Sequence, residues 1–360
     1  MVSVRNHFPS RIVSPESLRE AELTAWRRIQ GSNPALGSAF YSATFTRAAA
    51  AARLDVRVCV IESEGAPLAF FPYQFRGRAQ RFLKAAEPVG GSMSDFFGLV
   101  APPGFKVEVP ALLSMAHLSA IIFRNLPEEE LSFGIGGEQP ELGYRIEIGS
   151  NARDYWAQLR RQNESLAREI ERRERRILEA LGPLDFKFDV ADREHELARL
   201  IAMKRAQYRE TGVPDALAEP KHRQLLRLLA RSAEVDCAGS LATLHAGGQW
   251  VASHFGLRCG KTLHYWFPVF NPAFTKFGPG HLLLKHVIDG CVAAGIRTIE
   301  RGAGQQSHKS AYISVPRLYY RGCWHDGGAR SVMFRGLQSL AWRWGTRRKW
   351  GRGAATGDDA

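Results

Sequence analysis

The sequence predicts an α/β protein of 360 residues, in which mixed sheets are flanked by helices. Strand-like and helix-like segments alternate along both halves of the chain, an order typical of α/β layer structures. The length corresponds to about two domains of about 100–200 residues each. An apolar share of 45% and a charged share of 24% are typical of a folded globular protein and exclude long disordered regions.

The first half combines helical and strand patterns in a small layer structure. Residues 38–54 are alanine-rich with apolar periodicity and predict a helix. Runs of β-forming residues separated by glycine and proline turns predict strands. The further elements predicted here are strands over 56–62, 68–75, 94–98 and 120–124, and a helix over 109–120.

The second half repeats a similar order, which indicates a duplication that has diverged beyond a readable repeat. Its predicted helices are two within 151–181, ended by Gly182-Pro183, then 192–209, 221–232, 281–294 and 307–313. Its predicted strands are 185–190, 239–245, 250–257, 262–270 and 298–300. We therefore predict domains over 1–150 and 151–330, followed by a basic tail over 331–360.

The charge balance is strongly positive, with 49 Lys and Arg against 36 Asp and Glu and a net charge of +13. Such a balance suits nucleic acid, an anionic membrane surface or a polyphosphorylated ligand. In residues 160–176 arginine alternates with glutamate, which predicts a salt-bridged, solvated helix face. The tail segment 343–352 is unbalanced and adjoins or contains Trp342, Trp344 and Trp350, so we predict either a peripheral membrane anchor or a disordered end. Nucleic-acid binding is not expected, because no recognised motif supports it.

The cysteine pattern and the absence of a targeting signal predict a cytoplasmic protein. The 5 cysteines are odd in number and widely spaced, which suits a reducing compartment. The best apolar stretch, residues 107–123, is interrupted by polar residues and too short for a membrane span. The N-terminus lacks the apolar core of a secretory signal. No metal site is expected either, since His281 and His286 are five residues apart and do not share a helix face.

A glycine-rich turn between a predicted strand and a predicted helix is the first feature that carries chemistry. Gly278 and Gly280 allow the backbone to approach a ligand and present the helix N-terminus to it, and Lys276 adds a cation. This combination suits a pyrophosphate, a simple tight turn being the alternative. Pro268 removes a donor from its strand and helps to separate that strand from its neighbour, so that an amide-containing ligand arm can pair there.

A charged cluster at the end of the next strand is the second such feature. Glu300, Arg301 and the nearby Lys309 suit general-base and oxyanion chemistry, with a structural ion pair as the alternative. His254, on predicted strand 250–257, is a further candidate base, unless it is only a hydrogen-bonded histidine of the sheet. Asp95 follows a glycine turn and is a candidate for substrate recognition, unless it only caps backbone N–H groups. Tyr265 is a candidate substrate contact, with packing as the alternative.

The pattern PxFxxxGPGxLLLxxxIxxxxxxGIxxIExGxGxxxxK, which follows these strands, resembles the Gcn5-related N-acetyltransferase (GNAT) superfamily. More narrowly, it is similar to the CelD/BcsL-like branch of cellulose and exopolysaccharide biosynthesis, whose relatives include the Fem-type peptidoglycan aminoacyltransferases. The resemblance implies two GNAT-like domains in tandem. The first would shape the acceptor cleft, and the second would bind acetyl-CoA or another acyl-CoA.

The resemblance also implies roles for individual residues. The residues implied to offer backbone to the pantetheine arm are Phe267, Pro268, Val269 and Phe270. Those implied to hold the pyrophosphate are Lys276, Phe277, Gly278, Pro279, Gly280 and His281. Glu300, Arg301 and Lys309 would line the acceptor side. Three positions depart from the family pattern: Thr275 where Gln or Arg is common, Glu300 where Asp is usual, and His308 where Tyr is usual.

Together, these observations predict an acyl-CoA-dependent N- or O-acetyltransferase that acts on an amine or a sugar hydroxyl, in polysaccharide or cell-envelope biosynthesis. Transfer would be direct, with Glu300 or His254 as the general base and backbone N–H groups of strand 262–270 polarising the thioester carbonyl. Two alternatives stay open. One is a Fem-type transferase that uses aminoacyl-tRNA, and the other is a catalytically silent module of a polysaccharide assembly complex.

Overall fold

The computed structural model describes residues 8–304 and 307–338. The strands are β1 (Ser10–Val13), β2 (Asp55–Ser63), β3 (Ala66–Phe75), β4 (Ala85–Ala86), β5 (Ala120–Pro127), β6 (Gln139–Glu147), β7 (Leu184–Lys187), β8 (Ala233–Glu234), β9 (Cys237–Ala246), β10 (Gln249–Cys259), β11 (Thr262–Phe270), β12 (Thr298–Ala303) and β13 (Ser314–His325). The α-helices are α1 (Glu20–Ser32), α2 (Ala43–Ala51), α3 (Arg78–Leu83), α4 (Val109–Met115), α5 (Ala152–Gln162), α6 (Glu164–Leu181), α7 (Arg193–Thr211), α8 (Pro220–Arg231), α9 (Pro279–Ala293) and α10 (Ser307–Ser310). Residues 329–338, here called the C-terminal helix, are also helical.

One long mixed sheet runs through both halves of the chain. Its strand order is β4-β5-β13-β6-β12-β11-β10-β9-β7, with β8 beside β9, while β1, β2 and β3 form a separate antiparallel sheet. β13 lies between β5 and β6 and is antiparallel to both, so a strand from the second half completes the sheet of the first. The predicted boundary at residue 150 does not interrupt the sheet, because β6 pairs with β12 across it. The division into two domains stays a prediction.

Two apolar cores cover the sheet. The larger extends from the first half into α7, α8 and β10, and joins residues such as Trp26, Phe70, Leu225 and Phe255. The second packs α5, α6 and α9 on β9–β12. Helices therefore flank the mixed sheet, and the predicted α/β fold class is confirmed.

Most predicted elements are present, with ends shifted by a few residues, but the strand predicted over 94–98 is wrong. This segment is irregular, and the Ser94 hydroxyl donates to the carbonyl oxygen of Phe96 at 2.6 Å, a local bond that competes with strand pairing. The elements that were not predicted are β1, α1, α3, β4, β6, β8, β13 and the C-terminal helix. In β13, Pro316 and Arg317 break the pattern expected of a central strand.

The arginine–glutamate run forms the predicted salt-bridged face along α5 and α6. Its ion pairs are Arg160–Glu171, Arg168–Glu164, Arg172–Glu169 and Arg173–Glu169. The tail with Trp342, Trp344, Trp350 and residues 343–352 lies outside the described residues, as does the side chain of His308. None of the described helices is both long and apolar enough to cross a bilayer.

Candidate active site

The site is built where β11 and β12 separate. The two strands are paired in parallel over three residues only, ending at His264 opposite Glu300. From there β11 continues along β10, and β12 continues along β6. The fork between the two strands therefore opens at Tyr265 and Arg301, as the position of Pro268 in β11 had indicated.

A bulge in β11 occurs just where the fork opens. The register between β10 and β11 shifts between Phe255 and Leu257, so that backbone of β11 loses its partner on β10. The N–H of Trp266 donates instead to Nε2 of His254, at 3.2 Å. The imidazole fits here because Gly256 has no Cβ, which would lie 2.6 Å from His254 Cε1.

His254 is thus a structural group of the sheet and does not face the cleft, which corrects its candidacy as a base. Its side chain is 1% exposed, and burial lowers the pKa of the imidazole to about 3. A neutral ring at physiological pH can accept the N–H of Trp266, but its very low basicity makes it a poor proton acceptor for catalysis.

Beside the fork lies a cleft of about 980 Å³, to which both halves of the chain contribute. Side chains of the first half that line it include Asp95, Arg124, Asn125 and Glu141. Those of the second half include Lys204, Gln207, Tyr208, Tyr265, Phe267, Pro268, Arg301 and Lys309. The structure therefore brings together six of the residues predicted from the sequence: Asp95, Tyr265, Phe267, Pro268, Arg301 and Lys309.

Asp95 and Lys309 both reach Gly302, at the end of β12. A Cβ on Gly302 would lie 3.6 Å from Asp95 Oδ2, and Lys309 Nζ donates to the carbonyl oxygens of Gly302 at 3.4 Å and Ala303 at 2.8 Å. Burial raises the pKa of Asp95 to about 6, against the opposing effect of Lys309, and burial lowers the pKa of Lys309 to about 8. A carboxyl that titrates near neutral pH beside a cation is an arrangement suited to proton transfer.

Arg301 connects the cleft with the start of α9. Its guanidinium donates to the carbonyl oxygen of Lys309 at 3.0 Å and lies over the ring of Tyr312, 5.4 Å from the ring centre. The Tyr312 hydroxyl is in turn 2.9 Å from Nδ1 of His281, in the first turn of α9. Arg301 therefore has a positioning role at the fork, and burial lowers its pKa without removing its charge at neutral pH.

The predicted pyrophosphate loop precedes α9 but does not line the cleft. A 3₁₀ turn, Pro272–Phe277, leads into Gly278, which caps α9 with φ +62°. A Cβ on Gly278 would overlap the guanidinium of Arg173, which projects from α6, whereas a Cβ on Gly280 would meet no atom within 4 Å. Thus only the first glycine of the pair is required by local geometry. Arg173 brings to this loop a cation that Thr275 does not supply.

Glu300 does not line the cleft either, although it neighbours Arg301 on β12. Its side chain is 4% exposed and forms a buried ion pair with Arg317 of β13, which also binds Glu129 at 2.6 Å. Burial raises the pKa of Glu300, and Arg317 opposes this effect. The structural ion pair, considered only as an alternative from the sequence, is therefore what the structure shows, and the partner is Arg317 rather than Arg301.

The remaining predicted residues lie outside the cleft lining, in β11 and around the loop. They are Val269, Phe270, Lys276, Phe277, Gly278, Pro279, Gly280 and His281. Sequence reasoning missed Lys204 and Tyr208 on α7. Lys204 Nζ donates to Gln207 Oε1 at 3.0 Å and to the carbonyl oxygen of Pro268 at 3.3 Å, and burial lowers its pKa to about 8. The helical spacing of Lys204, Gln207, Tyr208 and Thr211 was the available signal, since it places them on one face.

Metal-ligating side chains do not gather at this site. Across residues 8–304 and 307–338, no group of three or more His, Cys, Asp or Glu side chains is placed to hold a metal ion. The expectation that the protein uses no metal stays a prediction.

The chain is similar to known proteins in part of its sequence and in its fold. Residues 165–310 match the acetyltransferase (GNAT) domain family. No curated protein matches the sequence. Among solved structures, FemX is 10% identical with a TM-score of 0.58, and the match covers 87% of this chain and 97% of FemX.

Two further structures have the same overall organisation. The C-terminal domain of a putative lysylphosphatidylglycerol synthetase from Agrobacterium fabrum is 14% identical with a TM-score of 0.50, covering 89% of this chain and 97% of that domain. A tandem GNAT protein from the clavulanic acid biosynthesis pathway is 9% identical with a TM-score of 0.50, and the match covers 90% of this chain and 100% of that protein. At such identities the similarity defines the fold alone. The family match shows a GNAT acetyltransferase domain over residues 165–310, and the protein is therefore an acyltransferase.

Proposed function

We propose that the protein transfers an acyl group from acyl-CoA to an amine or hydroxyl acceptor bound in the cleft. The observation that carries this proposal is the meeting of Asp95 and Lys309 at Gly302, where the fork between β11 and β12 opens. Asp95 comes from the first half of the chain and Lys309 from the second. An acceptor in the cleft would therefore be held by both halves.

The donor would approach along β11. Phe267 and Pro268 line the cleft, and the backbone of β11 beyond the fork is free of β12, so it suits pairing with the amide groups of a pantetheine arm. The loop at Gly278, with Arg173 and Lys276 beside it, suits the pyrophosphate of coenzyme A. The contact of His281 with Tyr312, and of Tyr312 with Arg301, links these two parts of the donor site.

The chemistry assigned to the cleft is direct acyl transfer. Asp95 accepts the proton of the acceptor amine or hydroxyl as the acceptor attacks the thioester carbonyl. The new carbon–nitrogen or carbon–oxygen bond forms, the carbon–sulfur bond breaks, and the coenzyme A thiolate leaves and is protonated. Lys309 stabilises the negative charge that develops on the carbonyl oxygen. In this proposal the base is Asp95, in place of Glu300 or His254.

The polarity of the cleft fits a hydrophilic acceptor. Arg124, Asn125, Glu141 and Gln207 line it together with aromatic side chains. A sugar presents both hydroxyl groups for such side chains and apolar ring faces for the aromatic residues. Together with the sequence resemblance to the CelD/BcsL-like branch, this supports an amino sugar or sugar acceptor in polysaccharide or cell-envelope biosynthesis.

Thermal unfolding with titrated acetyl-CoA tests the donor, with free coenzyme A and ATP as controls. A ligand at about 100 times its dissociation constant stabilises a fold by about 2.7 kcal/mol, a shift of several degrees. We expect this shift with both coenzyme A ligands and none with ATP. The absence of any shift specific to coenzyme A would overturn the proposal.

A Fem-type transfer from aminoacyl-tRNA is the second candidate, supported by the net charge of +13 and by the sequence resemblance. The ion pairs along α5 and α6 speak against it, because they neutralise the most arginine-rich surface. Filter binding of aminoacyl-tRNA across a salt series tests this candidate. A steep loss of affinity with rising salt would favour it, since phosphate contacts release counterions.

A further inference from the structure

Exposed apolar side chains concentrate at one end of the long sheet. Ten large apolar side chains of the described residues are exposed, and four of them, Phe82, Val332, Met333 and Leu337, lie on α3 and the C-terminal helix. These two elements are neighbours, because Leu83 and Phe334 belong to one small apolar cluster beside β4 and β5. We call the exposed surface of α3 and the C-terminal helix the edge face.

The C-terminal helix carries apolar side chains on both its inner and its outer side. Ser331 and Phe334 point inward and are buried. Val332, Met333 and Leu337 are 62%, 47% and 53% exposed, although burial of such side chains is ordinarily favourable. An outward apolar stripe of this kind on a short helix indicates an interaction surface.

The charged side chains on the C-terminal helix itself, residues 329–338, have a single sign. Arg330 and Arg335 are exposed on the same helix, on either side of the stripe. Residues 327–353 contain seven Lys and Arg and no Asp or Glu. An apolar stripe between arginines, in a stretch without acidic residues, is complementary to a surface that is apolar inside and anionic at its boundary, as an acidic bilayer is.

The edge face also adjoins the cleft. Gln338 of the C-terminal helix lines the cleft, and so do Ile122 and Arg124 of β5. Ile122 packs against the same small cluster that holds Phe334. A surface held against the edge face would therefore lie beside the cleft that Asp95 lines.

We propose that the edge face docks on an anionic lipid bilayer and holds the adjoining side of the cleft next to the lipid headgroups. A second copy of the chain fits less well, because a two-fold contact would bring two arginine-rich surfaces together. The proposal concerns the docking surface only, so it does not depend on the acyl transfer proposed above.

Co-sedimentation of the full-length protein with vesicles tests the proposal. We expect binding to vesicles of phosphatidylglycerol and phosphatidylcholine that weakens with added salt, and little binding to pure phosphatidylcholine. The triple variant Val332→Glu, Met333→Glu, Leu337→Glu should bind the anionic vesicles at least about tenfold more weakly, because it replaces the apolar stripe with like charge. The matched control Val213→Glu, Val235→Glu changes exposed valines on α7–α8 and β8–β9 segments, and should bind as the wild type does.

Three outcomes would overturn the proposal. The first is equal or absent binding of the wild type to both kinds of vesicle. The second is unchanged binding of the triple variant, which would assign any membrane contact to residues 339–360. The third is a wild-type dimer, detected by light scattering, that the triple variant loses. An unchanged unfolding temperature of the triple variant without ligand shows that it is folded, and this control does not depend on the donor site.

Discussion

Two carboxylates lie on opposite sides of the fork, and only one of them faces the cleft. Glu300 is buried in the sheet and is neutralised by a direct ion pair with Arg317. Asp95 is only partly buried, and the nearby Lys309 gives its hydrogen bonds to backbone oxygens of Gly302 and Ala303. Burial raises the pKa of both carboxyl groups, and a cation opposes the shift in each case, Arg317 at Glu300 and Lys309 at Asp95. Because Glu300 is held in its ion pair inside the sheet, only Asp95 is placed to exchange a proton with an acceptor. Exposure and pairing, rather than position in a motif, therefore separate the candidate base from the structural group.

Replacing Asp95 has the largest expected effect on the reaction. We expect Asp95→Asn to lower acyl transfer by about 10²–10⁴-fold, because the amide cannot accept the proton of the acceptor. The wild-type rate should rise as the pH rises through about 6, where Asp95 loses its proton. Thiol release from acetyl-CoA measures both effects once a screen has identified an acceptor.

The matched control for Asp95 is Glu141→Gln, which changes another carboxylate of the same cleft. This variant should retain its rate to within about tenfold, since Glu141 has no assigned part in proton transfer. Equal losses in the two variants would indicate that the charge of the cleft matters and that Asp95 is not the base.

The sequence could predict which strand end carries the site, but not which side chain faces the cleft. Two residues of the motif, Arg301 and Lys309, line the cleft. Its most prominent carboxylate, Glu300, points to the opposite side of β12, because neighbouring residues of a strand alternate. The partner of Glu300 lies in β13, a strand that the sequence pattern concealed and that joins the sheet only through long-range pairing. Asp95 was recognised as a cleft residue from its apolar surroundings.

A local irregularity of the sheet explains why His254 does not face the cleft. His254 has the alternation of a strand residue that faces a cleft, but the bulge in β11 directs its ring to the N–H of Trp266. The bulged residues of β11 include no glycine, but Gly256 lies opposite them on β10 and is the local signal, since a glycine inside a strand often marks a bulge. The fold class was predictable because it depends on the order of elements, which the hydrophobic periodicity carries.

On the structural side of the comparison, Glu300→Gln should destabilise the protein without abolishing the reaction. Removing one partner of a buried ion pair costs about 3–5 kcal/mol. Because Arg317 retains Glu129, we expect the lower end, about 3 kcal/mol of unfolding free energy, from denaturant titration. The double variant Glu300→Gln, Arg317→Met should recover part of this loss. A variant of normal stability with a rate reduced as much as that of Asp95→Asn would contradict the assignment.

The two glycines of the donor loop offer the next contrast. Gly278→Ala should destabilise the fold by about 1–3 kcal/mol, since it combines a left-handed backbone with a clash against Arg173. It should also reduce the thermal shift given by acetyl-CoA. Gly280→Ala is the control: it places a methyl group in open space within a helix, and we expect unchanged or slightly higher stability. If both variants showed the same stability and the same thermal shift with acetyl-CoA, the conformation of Gly278 would have no part in donor binding.

The smallest expected effect is the acid sensitivity that His254 adds to the sheet beneath the cleft. The pKa of its imidazole falls from 6.5 to about 3 on folding, so the unfolded chain binds the proton more readily. Its contribution to stability is therefore complete above pH 6.5 and is lost as the pH falls toward about 3, at up to about 1.4 kcal/mol per pH unit.

Denaturant titrations of the wild type and of His254→Gln between pH 5 and pH 7.5 measure this slope. The glutamine variant keeps an acceptor for Trp266 and should show a shallower dependence on pH; an unchanged slope would mean that His254 titrates in the folded protein as it does in the unfolded chain. Asp95 contributes the opposite sign, because its raised pKa makes stability fall as the pH rises from 3.8 to about 6, and this loss remains at higher pH. The histidine that holds the bulge and the carboxyl that faces the cleft can thus be told apart by the direction in which each makes stability depend on pH.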